Sequence, residues 1–398
     1  MTRQVSRRRV FYIPGYDPIH PRRYRELYRK EGAEQAQISG YEISLAPKTG
    51  DGAYGWHVEG AIEGGRTAAD IDVLVWSDIV RGSMETGIAG TYLQLVRTAW
   101  VYIASGALRR LMWLRKGPVI AALYPIVMLL VQLLAACLLA LLAGRILGLI
   151  HPWLSALAIG VIPAVLVWFR RKDNKIFAYY LMHDYAYSAQ HGGANPPELE
   201  QRMSEFGDVI ARALADDVDE VLVVGHSSGA HLGVSILADL IRQGRVPANG
   251  PALGFLTLGQ VVPMVSFLPG AHRLRADLQY LSARDELAWV DVTAPGDGCA
   301  FALCDPVAVS GVAPADKKWP LVFSAAFTQT LSPERWAALK RRYFRLHFQY
   351  LCAFDRPKDY DYFKITAGPL TLGARYADRK PSKSRIDVPA SKFTSVAA

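Results

Sequence analysis

Apolar and polar positions alternate along this chain in three different ways, and each predicts a different kind of element. Short runs rich in β-branched residues, at 10–13, 41–45, 71–76, 218–225, 253–258 and 289–294, read as strands, several of them apolar enough for burial on both faces. Between them, 21–37, 198–215, 230–242 and 333–354 carry charged and apolar residues at helical spacing. Strands alternating with helices predict an α/β architecture, a mostly parallel sheet flanked by helices. No internal repeat is evident.

The third pattern is a single block, 119–169, reading VIAALYPIVMLLVQLLAACLLALLAGRILGLIHPWLSALAIGVIPAVLVWF. Crossing a bilayer takes about 20 helical residues, so the block has room for two spans. They are expected at about 119–143 and 153–169, with Gly144, Arg145, His151 and Pro152 supplying the break. Pro125 and Pro163 are tolerable within spans. The alternative, a buried helix pair of a soluble core, rarely shows so long an apolar run. Just before it, 92–111 mixes aromatics, leucines and paired arginines, as an amphipathic helix lying in a membrane interface would.

Charge sharpens this picture. The 398 residues include 45 Lys and Arg against 36 Asp and Glu, a net charge of +9. Arg109, Arg110, Arg115 and Lys116 precede the apolar block and Arg170, Arg171, Lys172 and Lys175 follow it, while Arg145 and His151 lie between. Cations bracketing a hairpin predict that both outer ends face the cytoplasm, placing the protein in the inner membrane with its main domain inside the cell. No zinc-finger spacing, aromatic-basic recognition strand or phosphate-cradling glycine loop supports a nucleic-acid partner. Four cysteines, one of them (Cys137) inside the apolar block, argue against a disulfide framework. Residues 1–83 and 197–374 are therefore read as one domain split by an insertion at 84–196. A basic, proline-bearing and disordered tail is expected at 375–398.

The chemistry-bearing segment is VLVVGHSSGAHLG, 221–233, an apolar strand running into Gly225-His226-Ser227-Ser228-Gly229 and then a helix. A serine on so tight a turn is pushed out above the sheet, and its strained backbone needs very small neighbours. The helix start adds free N–H groups beside it. This segment resembles the nucleophile elbow of the α/β-hydrolase superfamily, and VFYIPGYD near the N-terminus resembles the strand and loop that supply that family's oxyanion hole. Where many members carry His-Gly, this chain has Pro14-Gly15.

The resemblance implies a serine hydrolase, with Ser227 as nucleophile and the backbone N–H groups of Tyr16 and Ser228 as oxyanion hole. The family order of nucleophile, acid and histidine leaves His347 as the base, the one histidine beyond every acid candidate. Asp297, just past the 289–294 strand, is the favoured acid, with Asp305 second and Asp291 within the strand itself. His226 and His231 come too early for the base and are expected to line the site or pack beneath the turn. The implied activity is cleavage of ester-type, lipid or acyl, substrates through an acyl-enzyme, with no cofactor and no metal. A thioesterase or amidase, and a non-catalytic membrane scaffold or sensor, are the alternatives. Oligomeric state is left open.

Overall fold

The computed structural model describes residues 4–49 and 52–397. Its frame is an eight-stranded sheet ordered β2-β3-β4-β1-β5-β6-β7-β8. The strands are β1 (Arg7–Ile13), β2 (Glu42–Pro47), β3 (Gly55–Ile62), β4 (Gly65–Val73), β5 (Glu220–His226), β6 (Ala252–Leu258), β7 (Leu287–Thr293) and β8 (Leu321–Ser324). From β4 through β1 to β8 every neighbouring pair is parallel, while β2 and β3 extend one edge in antiparallel fashion.

The parallel strands are greasy on both sides because helices cover both faces. Along β5, Leu222 and Val224 join one core with Tyr12, Val290, Phe323 and Tyr350. Val221 and Val223 join the other with Phe11, Ile13, Leu237 and Trp289. The antiparallel strand β3, held between β2 and β4, instead alternates, with Trp56, Val58, Gly60 and Ile62 inward. Glycines and charges dilute that run, so it carries no strand signal strong enough to stand out. The expected 71–76 strand begins earlier and stops at Val73, because Trp76 turns inward and its indole N–H donates to the Pro14 carbonyl at 2.9 Å.

The long late helix expected at 333–354 is broken into Pro333–Leu339, Tyr343–His347 and a 3-10 turn, Phe348–Leu351. The break follows from tertiary demands on its last turns: the His347 carbonyl accepts from the His226 ring, and the Tyr350 hydroxyl accepts from the Ala294 N–H.

Two consecutive helical segments of the insertion, Lys116–Ile150 and Pro152–Arg171, are long and apolar enough to cross a membrane. Only 22% and 11% of their most apolar windows are buried, unlike the helices of a soluble core. The first is longer than expected. Gly144 and Arg145 stay helical, and His151-Pro152 alone makes the break, since a helix tolerates glycine far better than proline. At 35 residues it runs ~50 Å, more than a bilayer core requires. Its first turns belong to the protein body, where Pro118 and Val119 are buried.

The tail differs from expectation. Its composition suggests disorder, yet it lies along the body and its backbone groups find partners there. Ile386 exchanges hydrogen bonds with Leu303 and Asp305, Ala390 and Ser391 donate to Val309, and Arg110 and the buried Arg275 donate to the Ala390 and Ser395 carbonyls. Backbone pairing of this kind is invisible to composition.

The strand-helix turn is packed to the limit. A Cβ on Gly229 would lie 2.1 Å from the Ile13 carbonyl oxygen, so Gly229→Ala must push β1 and the helix Gly229–Arg242 apart. We expect it to cost about 3 kcal/mol or more, read as a lowered denaturation midpoint or failure to fold.

Candidate active site

Ser227 sits between β5 and the helix Gly229–Arg242 with φ of 56°, the left-handed region that costs a residue with a Cβ roughly 1–2 kcal/mol. Three glycines let the chain pass there. Besides Gly229, a Cβ on Gly225 would stand 2.7 Å from the Ala230 Cα, and one on Gly15 would stand 2.9 Å from the Ser227 Cβ. The Ser227 N–H donates to the Leu258 carbonyl at the end of β6, tying the turn to the sheet rim.

The other two expected members meet it from separate elements. Asp297 lies in the loop after β7 and His347 at the end of Tyr343–His347. The His347 Nδ1–H donates to Asp297 Oδ2 at 2.7 Å. That bond selects the tautomer whose Nε2 carries the lone pair, and Nε2 is buried without a partner. The ring packs against Gly259, where a Cβ would come within 3.0 Å of it, one residue past the carbonyl that holds Ser227. His226, next to the serine, donates through Nε2 to the His347 carbonyl at 3.0 Å, and the two rings lie 4.8 Å apart. Ser227 and His347 are thus pinned to the same patch of the rim, and both line one cavity.

Burial alone would push the Asp297 carboxyl up. The His347 ring, the Cys299 N–H at 2.9 Å and the Tyr350 hydroxyl at 3.0 Å outweigh it and hold the group below its ordinary value. It is an ionised acid at neutral pH, suited to stabilising an imidazolium. Burial beside His347 drives His226 down to about 3, so it stays neutral and structural. His231 is likewise pushed down to about 4 by burial and does not line the cavity.

The remaining acids are committed elsewhere. Asp305 accepts from the N–H groups of Val307 and Ala308 at a helix start and pairs with Lys317 at 2.7 Å. Asp291 is buried in β7 against the Thr257 hydroxyl, and burial raises it to about 8.

Asp297, Cys299 and His347 bring donor atoms within 4.8 Å of one another. The set suits a triad better than a metal: His347 Nδ1 already donates to Asp297, and burial raises the Cys299 thiol well above its usual range, whereas a ligating thiol must lose its proton.

Tyr16 and Ser228 also line the cavity, and among the described residues neither backbone N–H makes an internal hydrogen bond. The Tyr16 carbonyl accepts from the Tyr180 hydroxyl at 2.5 Å, which fixes the loop that carries the first of these N–H groups.

The chain matches no family model, no curated protein and no solved structure. Its site therefore has to be read from its own geometry.

The cavity holds about 420 Å³ and is built from both halves of the split domain and from the insertion. Pro118 from the root of the first apolar helix and Phe177, Tyr180, Leu181, Asp184 and Tyr185 from the segment after the second form much of its wall. Tyr350 and Asp184 are the site residues that sequence reasoning passed over. Tyr350 stands three residues after His347 and could have been noticed as a second hydroxyl near the base. Asp184 gives no signal in a segment that reads as insertion.

Proposed function

We propose that this chain is a membrane-anchored serine hydrolase of the α/β-hydrolase type, cleaving carboxylic esters of acyl or lipid character. The observation that carries the reading is the left-handed Ser227 sharing a cavity with His347, whose Nδ1 is held by an ionised Asp297. In the reaction, His347 Nε2 takes the hydroxyl proton as Ser227 Oγ attacks the ester carbonyl. The Tyr16 and Ser228 N–H groups stabilise the tetrahedral oxyanion. His347 then protonates the leaving alcohol, and water, deprotonated by the same ring, releases the acyl group from Ser227.

The membrane part of the proposal rests on the two largely unburied apolar helices and on the cations at their outer ends, which favour a cytoplasmic active site at the inner membrane. The helix Ile88–Ala104 supports it with an exposed stripe, Leu93, Val96, Trp100 and Ile103, at helical spacing. Trp113 is exposed beside it and Arg109 stacks on its ring at 4.5 Å. An apolar crevice of about 130 Å³ at the hairpin root shares Tyr185 and Met264 with the main cavity. In this reading the crevice receives the acyl chain of the substrate.

A fluorophosphonate probe tests the reading. The protein should be labelled in membranes, the labelled band should stay in the pellet after alkaline extraction, and Ser227→Ala should remove the label. An unlabelled wild type that is folded and membrane-bound would instead favour a non-catalytic scaffold.

A further inference from the structure

The wall opposite the rim is formed by the helix Ala178–Ala189, which turns Tyr180, Leu181, Asp184, Tyr185 and Ser188 toward the cavity. Its other face, with Tyr179, Met182 and Ala186, packs into the cluster at the hairpin root. Four carboxylates line or adjoin this space, and three have partners. Asp17 accepts from the Tyr24 hydroxyl at 2.7 Å and lies 3.7 Å from Arg23. Asp173 accepts from the Tyr179 and Tyr180 N–H groups, both at 2.9 Å. Asp297 holds His347.

Asp184 has none. Among the described residues its carboxyl makes no hydrogen bond and no ion pair, although it lines the same cavity as Ser227 and His347. Burial raises its pKa to about 7, with His347 only partly offsetting the effect. A half-buried acid that faces a cavity without a partner is compensated when a cation arrives. The surfaces around it, Tyr16, Tyr180, Tyr185 and Phe344, are aromatic, and ring faces attract cations. A neutral hydroxyl would satisfy one lone pair and leave the charge uncompensated. An ammonium group answers both features.

Resting on the hydrolase reading above, we propose that Asp184 is a specificity-determining residue that pairs with an ammonium group on the substrate, so that the preferred substrates are esters carrying a protonated amine near the scissile carbonyl. The aminoacyl ester can be soluble or can be attached to a lipid headgroup. The reacting bonds remain those of the Ser227 acyl transfer, and Asp184 enters only through binding.

The test compares two isosteric esters, p-nitrophenyl propionate and glycine p-nitrophenyl ester, on purified full-length wild type and Asp184→Asn in detergent. We expect the substitution to lower the ratio of kcat/KM for the ammonium ester over the neutral one about tenfold or more, chiefly through KM. Asp184→Glu should restore part of the preference. An unchanged ratio, or an equal loss on both esters, overturns the proposal while fluorophosphonate labelling of Ser227 keeps the hydrolase reading intact. Failure of the wild type to label removes both. The same variants acting on vesicles of phosphatidylglycerol whose headgroup is esterified with glycine or with propionate distinguish the two sources: loss of selectivity on vesicles assigns the ester to a lipid headgroup, and loss confined to the soluble pair assigns it to a free ester.

Discussion

Replacing Ser227 with alanine is expected to abolish covalent labelling and lower ester turnover by roughly 10⁴-fold or more, while leaving the fold intact. The size follows from the geometry. The His347 lone pair has no other nucleophile assigned to it, and the residual rate would come only from binding and from the two N–H groups at the oxyanion position. Alanine keeps the Cβ and therefore the strain of the left-handed turn, so its denaturation midpoint should match wild type. Ser227→Gly separates strain from chemistry. It should be equally inactive yet more stable by about 1 kcal/mol, because glycine adopts positive φ without a steric penalty. Turnover by either variant within tenfold of wild type would refute the nucleophile assignment, whatever its stability.

Asp297→Asn is expected to reduce kcat by about 10⁴-fold, and Asp305→Asn to leave it nearly unchanged. Asparagine at 297 can present an N–H where the carboxylate now accepts. The His347 ring would then be turned to the wrong tautomer, with its proton on Nε2 facing the serine. The carboxylate also accepts from Tyr350 and Cys299, so the substituted amide cannot satisfy the whole set. Asp305 instead caps a helix start, which asparagine does as well, and pairs with Lys317, so its substitution should cost only the ion pair, about 1 kcal/mol of stability. Steady-state rates and chemical denaturation of both variants decide the matter. A reversed pattern, with Asp305→Asn inactive and Asp297→Asn active, would overturn the triad.

Much of the architecture was legible because its signals are local and strong. The β5 run Val221–Val224, the apolar hairpin and the glycines around Ser227 each announce themselves within a few residues. Elements whose stability comes from partners were not. β3 is a polar-diluted strand held by β2 and β4 on either side, and β8 is only four residues long. The late helix breaks because His347 and Tyr350 are recruited by groups far away in sequence. The tail is ordered by backbone pairing with Leu303, Asp305 and Val309, which leaves no mark on its composition.

By itself, the order of residues determined that a serine would stand at a strand-to-helix turn, because only very small flanking residues permit that backbone, and that a long apolar hairpin would interrupt the domain, because such a run is hard to bury otherwise. It favoured Asp297 as the acid within a short stretch that also holds Asp291 and Asp305. The tertiary structure brings Asp297 to 2.7 Å from His347 and engages Asp305 with Lys317. It also placed the insertion's helix, with Asp184, across from the serine. Hydrogen bonds and charge pairing act at distances of a few ångströms, and which side chains come that close is decided by packing between segments distant in sequence, as with Asp297 and His347.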